Sequence, residues 1–304
     1  MKYIFIIGML FSYVKSTACD LCGGVGSNAS IGIFAANRFH LLGVRQNIRG
    51  FHSYLNGIKH SSETIWMSDL YFRSQVGKRV QLYGSIPFQV ARQKTDFNTT
   101  FLTGFSDPNV LGTFALIDKK DTNKVTRDFL NVGMGIKFPF GKFLSYQSDL
   151  KNLAPSTGSL DVLLLTNYTH RIKNDWSLQT EASHSFKGED RDGYRYGSST
   201  QISGSLIYNR KVLLSRLISS IGFQYDSYQS SRLHDQLIVD QNNSGYVLAA
   251  KGSLNLMTSR FLISAQVQRA MSQNINEGSI QQKWVVGLSL NYLIQKKQHE
   301  KNNL

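Results

Sequence analysis

The sequence predicts an all-β fold: a transmembrane, antiparallel, up-and-down β-barrel of about twelve strands, with short periplasmic turns and longer extracellular loops. Three observations predict it. Segments of about ten residues alternate apolar and polar side chains, the length a tilted strand needs to cross a bilayer. The connections between these segments alternate in length. Aromatic residues recur near the segment ends; aromatics make up 12% of the chain and prolines number only 4, a composition that favours strands.

The alternation is read most directly in "WSLQTEASHSF", residues 176 to 186. Trp176, Leu178, Thr180, Ala182 and Phe186 fall on one face, with His184 as the exception, and Ser177, Gln179, Glu181, Ser183 and Ser185 fall on the other. Successive side chains of a strand point to opposite faces, so this strand is half apolar and half wet. "FLISAQVQ" sets Phe261, Ile263, Ala265 and Val267 against Ser264, Gln266 and Gln268. In "YVLAAKGSLNL", Tyr246, Leu248, Ala250, Leu254 and Leu256 oppose Lys251, Ser253 and Asn255. "RVQLYGSIPFQV" repeats the pattern, with Val80, Leu82, Ile86, Phe88 and Val90 apolar and Gln81, Tyr83, Ser85 and Gln89 polar. In the last segment Trp284, Val286, Leu288, Leu290, Tyr292 and Ile294 share a face opposite Gly287, Ser289 and Asn291, while Val285 and Leu293 interrupt the polar side.

The strands are expected to start near residues 39, 64, 79, 107, 127, 159, 176, 198, 216, 245, 260 and 282. Short connections fall at 76–78, 173–175, 209–214 and 258–260, and a further turn of intermediate length at 118–126. Longer polar connections fall near 52–62, 92–105, 142–157, 187–197, 229–244 and 271–280. Lipid offers no hydrogen bonds to a backbone, so a sheet in a membrane must close on itself. An even strand number leaves both ends on one side, here the short-turn side. Trp66, Phe72, Phe88, Phe138, Trp176, Phe186, Tyr208, Tyr225, Phe261, Trp284 and Tyr292 are candidates for the interfacial aromatic girdles. A soluble sandwich or lipocalin-like barrel also alternates, but seldom needs twelve strands with one side uniformly short-turned.

The N-terminus sets the compartment. Met1-Lys2 gives a short positive start, Tyr3 to Val14 is an apolar core, and Ser16-Thr17-Ala18 supplies the small residues a signal peptidase reads. The expected organisation is a signal peptide over 1–18, a periplasmic Cys/Gly-rich segment over 19–38, an outer-membrane barrel over 39–295 and a charged tail over 296–304. Export to a Gram-negative outer membrane follows. After residue 15 no run reaches the ~18 apolar residues of a transmembrane helix. The net charge of +14 is spread along the chain. No compact basic stretch interleaves with stacking aromatics, which argues against a nucleic-acid partner. The charge suits contact with anionic headgroups of the outer-membrane lipid.

Five stretches carry a family resemblance: "LLGVRQNIRGF" (41–51), "VGKRVQLYGSIPF" (76–88), "FSDPNVLGTFAL" (105–116), "NVGMGIKFPFGKF" (131–143) and "TGSLDVLLLTNYTHRIKNDWSLQTEASHSF" (157–186). In this order they resemble outer-membrane barrels of the phenol-degradation meta-pathway type. The likeness extends to the transporter-like envelope barrels of Bacteroidetes whose mature N-terminus carries Cys-Asp-x-Cys-Gly-Cys. The shared motifs are a Gly-Asp pair opening a strand, a Gly-x-Gly-x-Lys-x-Pro-x-Gly strand end and a Gly-Ser-x-Asp strand start. Here the first reads Ser106-Asp107, and Gly24 stands in place of the third cysteine. The resemblance runs over residues 19–186 by motif and over the remainder by strand pattern. It implies a porin-like channel or carrier for a small-molecule solute.

Cys19 and Cys22 are the only cysteines. In an oxidising periplasm a Cys-x-x-Cys pair can close a small disulfide loop or simply make a plug contact. Two thiolates can also hold a soft metal such as copper. Cys19 as the first mature residue can carry a lipid anchor, although Ser16 stands where a lipobox prefers a branched apolar residue. The pair can also have no role. An alternative function follows from the metal reading: a non-transporting envelope barrel whose periplasmic Cys-x-x-Cys end binds copper or docks a partner. Structural zinc would need two further ligands nearby, and none is within reach in sequence. No catalytic constellation is legible: His184 adjoins Ser183 and Ser185, but neighbours on a strand face opposite ways. The chain therefore reads as a non-enzyme. The lumen-lining positions are Asp69, Arg73, Gln81, Tyr83, Asp107, Lys137, Asp161, Glu181 and Lys251, with Gln89, Gln201, Gln224 and Gln266 beside them. A charge on the lipid face costs about 2–4 kcal/mol at mid-bilayer, so these charges are expected to point inward.

Overall fold

The computed structural model describes residues 39–120, 127–148, 150–172, 175–237 and 244–294. The expected signal peptide, the Cys19–Cys22 segment and the charged tail lie outside the described residues. In chain order the strands are β1 (His40–Leu55), β2 (Ile58–Val76), β3 (Val80–Thr95), β4 (Thr99–Phe105), β5 (Asn109–Lys120), β6 (Arg127–Lys137), β7 (Asp161–Arg171) and β8 (Trp176–Phe186). They continue with β9 (Tyr194–Arg195), β10 (Ser199–Val212), β11 (Ser215–Tyr228), β12 (Arg232–Leu233), β13 (Gln236–Leu237), β14 (Gly245–Met257), β15 (Phe261–Ile275) and β16 (Ile280–Ile294).

Thirteen of these strands form one antiparallel sheet. β4 and β5 both pair with β3, β4 along its second half and β5 along its first. They are two lengths of one barrel strand, so the barrel has twelve. β1 pairs with β2 on one side and with β16 on the other, from His40↔Ile294 to Ser53↔Ile280. That last pairing closes the twelve-stranded wall on itself. The short strands β9, β12 and β13 form a separate three-stranded sheet within the long loops.

Most strands begin within two residues of the positions expected from the pattern. Three of the expected long loops do not exist as loops. In 271–280, β15 runs on to Ile275, which pairs with Ile280 across the 3-10 turn Asn276–Gly278. The stretch 52–62 is a hairpin: Tyr54 pairs with Lys59 and Leu55 with Ile58 around a two-residue Asn56-Gly57 turn, with φ of 50° and 79°. Asn-Gly accepts this left-handed geometry readily, and the turn fits the twist of the flanking strands. The stretch 92–105 is likewise paired, Lys94 to Thr99 and Phe88 to Phe105. In these last two hairpins the ladder continues while the apolar alternation fails, as Lys59 and His60 are exposed. A strand rising past the hydrocarbon meets water on its outer face and has no need of apolar residues there.

The outward face is apolar along the whole barrel. Leu288 is 59% exposed and Ile221 70%, and Val44, Leu70, Ile86, Met134, Leu164, Ile202, Leu254 and Ile263 are exposed with them. An apolar belt of this extent marks contact with lipid and not with water. Aromatics flank it. Near the short turns, Trp176 packs on Tyr208 at 4.8 Å and Phe261 on Tyr292 at 5.6 Å. Toward the other end, Phe88 meets Phe105 at 5.4 Å and Tyr225 meets Tyr246 at 6.0 Å. Trp284 lies across Gly50, where a Cβ would come within 2.9 Å of the indole. The glycine lets the ring lie flat on the neighbouring strand.

Closure and lipid facing are both measurable. The folded protein is expected to run faster than the heated protein on an SDS gel; identical migration would argue against a closed barrel. Leu288→Arg, at the middle of the apolar belt, should destabilise the barrel by about 2–4 kcal/mol, read as a lowered urea midpoint in detergent or lipid.

Candidate solute passage

Strand alternation carries a second set of residues to the inside. Asp69, Arg73, Gln81, Tyr83, Asp107, Lys137 and Asp161 are all buried, and Glu181 and Lys251 are half-buried. The Arg45 guanidinium donates twice to Asp69, at 2.7 and 2.9 Å, and lies over the Tyr71 ring. Tyr83 Oη donates to Gln81 at 2.6 Å, and the Arg73 guanidinium sits 4.5 Å from the Phe39 ring centre. Asp226 accepts from Gln201 at 2.8 Å and from Gln224 at 2.9 Å, and Gln224 in turn accepts from Gln268.

Three motifs far apart in sequence meet at one hub. Asp107 comes from the break between β4 and β5, Lys137 from the end of β6 and Asp161 from the start of β7. Lys137 Nζ lies 2.7 Å from Asp161 and 3.2 Å from Asp107, and donates to Thr157 Oγ1 at 2.5 Å. Lys187 Nζ adds a second cation 3.2 Å from Asp161. Asp107 accepts from Ser156 Oγ, Gly141 N and Thr157 N. Asp161 accepts from Ser159 Oγ and Gly188 N. Two carboxylates and two ammonium groups are thus paired, and the backbone donors fill the remaining lone pairs, which is what burial of ions demands. The strand break itself follows from proline chemistry. Pro108 follows Asp107, and Pro87 on β3 lacks the N–H that would face the break; its carbonyl accepts from Ser106 N at 2.8 Å.

The hub anchors both ends of the segment 138–160, which enters the barrel from the long-loop end. Its single 3-10 turn, Lys151–Leu153, is buried there. Leu153 packs with Phe51, Ile65, Ala91, Leu102, Val247, Ala249, Ile275 and Ile280, and Gln89 Nε2 donates to its carbonyl at 2.9 Å. Lys151 Nζ stands 3.0 Å from the Tyr194 ring centre, near Tyr146 and Tyr196, and 3.4 Å from Asp190. At the short-turn end Leu41, Ile207, Ile218, Leu262 and Leu293 form a second inward apolar cluster. Each end of the interior therefore carries an apolar cluster, with most of the buried polar groups between them and a smaller cluster of Tyr83, Leu111 and Leu165 among these. The sequence pattern treated Leu293 as an interruption and did not anticipate either apolar layer. The signal was present, because apolar residues at the ends of strands break the alternation on the inner side.

Within the polar layer lies a cavity of about 20 Å³, lined by Gln179, Glu181, Ser205, Ser220, Lys251, Ser253, Gln266 and Gln268 among others. By this measure a single water needs about 10–15 Å³, so the space admits water but nothing of sugar size. His184 and His170 sit elsewhere. His184 faces outward, its Nδ1 2.8 Å from Thr200 Oγ1 and its ring against Phe186. His170 Nδ1 lies 2.8 Å from Asp128 Oδ1, with Tyr168 donating to the same oxygen, on the outer face near the short turns. Among the described residues no group of three or more His, Cys, Asp or Glu side chains is arranged to hold a metal.

Solved structures share this architecture. An outer-membrane channel from Pseudomonas putida F1 is 14% identical, with 84% of this chain and 96% of that chain covered and a TM-score of 0.66. The fold is that of an outer-membrane β-barrel. The β-domain of the Bordetella autotransporter BrkA is 10% identical, covering 84% of this chain and 99% of that one, with a TM-score of 0.49. For the KdgM porin the identity is 8%, the coverage 84% and 99%, and the TM-score 0.42. No protein-family model and no curated protein matches the chain. At this identity the likeness to the Pseudomonas channel establishes the fold and nothing finer.

Removing one member of the hub leaves a buried cation short of its partner. Asp161→Asn should cost about 3–5 kcal/mol and loosen segment 138–160. The expected readouts are a lowered urea midpoint and protease cleavage within 138–160 in the intact barrel, both absent from the parent protein.

Proposed function

We propose that the protein is a narrow, porin-like channel of the outer membrane that passes small polar solutes through the barrel interior. The observation that carries this reading is the polar middle layer, in which Asp69, Arg73, Gln81, Asp107, Lys137, Asp161, Glu181 and Lys251 lie inside an apolar shell. A barrel needing only to be stable in lipid would be served by an apolar or close-packed interior; buried charges in a membrane protein mark a hydrated route by default. The similarity of the fold to an outer-membrane channel supports the same compartment and the same class of activity. The resemblance to the phenol-degradation meta-pathway barrels points to small solutes as cargo. Segment 138–160 is the gate in this reading, since it fills the long-loop end and is held by ion pairs and cation–π contacts instead of the backbone ladder.

Planar-bilayer recording tests this directly. The parent protein should give small, discrete current steps, and release of segment 138–160 through Asp161→Asn should enlarge them. A heat-modifiable, correctly folded barrel that passes no current in either form, and does not let liposomes swell in small solutes, would exclude the reading.

A further inference from the structure

Most charges inside the barrel are held in tight pairs. Arg45 has Asp69 at 2.7 Å, Lys137 has Asp161 at 2.7 Å, Lys187 has Asp161 at 3.2 Å and Lys151 has Asp190 at 3.4 Å. Glu181 on β8 and Lys251 on β14 differ. Both face the same water-sized cavity. The Glu181 carboxylate accepts only one long hydrogen bond, 3.4 Å from Asn167 Nδ2. Among the described residues the Lys251 ammonium has no hydrogen bond and no carboxylate within ion-pair distance, although it feels Glu181 and Asp226 from further away. A fixed charge left unpaired in a protein interior is very costly unless water reaches it.

The wall between them is bare. β10 and β11 separate β8 from β14, and the register sets Gln179 beside Ser205, Ser205 beside Gly222 and Gly222 beside Lys251. Ser220 stands beside Ser253, their hydroxyls 2.7 Å apart. A Cβ at Gly222 would come within 2.0 Å of the Gly204 carbonyl oxygen, so this position stays empty. Across the barrel, β1, β2, β3 and β6 send in Arg45, Asp69, Arg73, Tyr83 and Lys137, which fill their side with paired groups.

We propose that Glu181 and Lys251 are the selectivity-determining residues of the passage: the water route runs along the β8–β14 wall, and small ions cross between this fixed anion and this fixed cation. This inference rests on the channel reading above. The opposed charges cancel along the pore axis, so the parent protein discriminates weakly between small cations and anions. Each alone would impose its own sign.

The test is the reversal potential of the full-length protein in a planar bilayer under a KCl gradient. Lys251→Met leaves Glu181 alone and should raise the K⁺/Cl⁻ permeability ratio by roughly tenfold, since one charge ~6 Å from an ion in a water-like medium shifts each ion by about threefold and the two in opposite directions. Glu181→Gln should lower it by a similar factor, and the double variant should return near the parent value. Ser253→Asp adds an anion to the same wall without removing a buried charge, and should shift the ratio toward K⁺ even if a neutralised variant fails to fold. Currents whose reversal potential is unmoved by Ser253→Asp, and by whichever charge variants fold, would overturn this assignment and leave the channel reading standing. A folded parent that conducts nothing would overturn both.

Discussion

The pairing of β1 with β16 is the constraint on which the rest depends. Hydrocarbon supplies no hydrogen-bond partners, so every N–H and C=O of a lipid-facing ladder must be matched within the protein. A sheet satisfies this only by closing. Once it closes, the period of two along each strand divides the side chains into an outer and an inner population, and the two solvents fix their chemistry. Leu288 and Ile221 outside, and Asn291 and Gln224 inside, are consequences of one geometric fact. The same logic explains the height of the wall. Where β1 to β4 rise beyond the apolar belt, the ladder persists and the outer alternation stops, because the outer face then meets water while the inner face stays covered.

The interior solves a different problem. A twelve-stranded wall encloses more space than its own side chains fill, and segment 138–160 enters that space at the long-loop end. Its attachment is ionic where the barrel strand breaks and apolar where Leu153 enters. The break makes room for the hub: Asp107 leaves the ladder at Ser106–Pro108 and turns its carboxylate to donors on the inserted segment. Two kinds of interior charge result. Those around Lys137 and Lys151 are satisfied by partners and fasten the insertion. Those at Glu181 and Lys251 stand apart over a small polar gap.

Much of the fold was legible because a membrane barrel imposes simple rules. Alternation located the strands, and the alternation of connection lengths gave their directions. The failures have physical causes. Asn56-Gly57 carries a strong hairpin signal, yet the surrounding polar residues outweighed it when polarity was read as loop. The strand pattern places Asp107 at an inward position of a strand, but its role depends on a break that Pro87 and Pro108 jointly permit, and Pro87 lies on the neighbouring strand. The meeting of Asp107, Lys137 and Asp161 was not legible from spacing, since strand register decides it. Their motifs could be recognised one at a time, while the ion pairs that explain them exist only once β5, β6 and β7 lie side by side.

Under the proposed function, the layering bears on how the interior would pass a solute. An ion crossing from one end to the other meets apolar clusters around Leu262 and around Leu153 before and after the polar section. Apolar collars oppose charge, because the loss of hydration is not compensated. The cluster at the short-turn end is built from strand residues and is fixed with the wall. The cluster at the other end includes Leu153, which belongs to the inserted segment and whose removal takes away one side of the collar. The barrier that can change without unzipping a strand is therefore the one that segment 138–160 supplies, and the hub at Lys137 sets how firmly it is held.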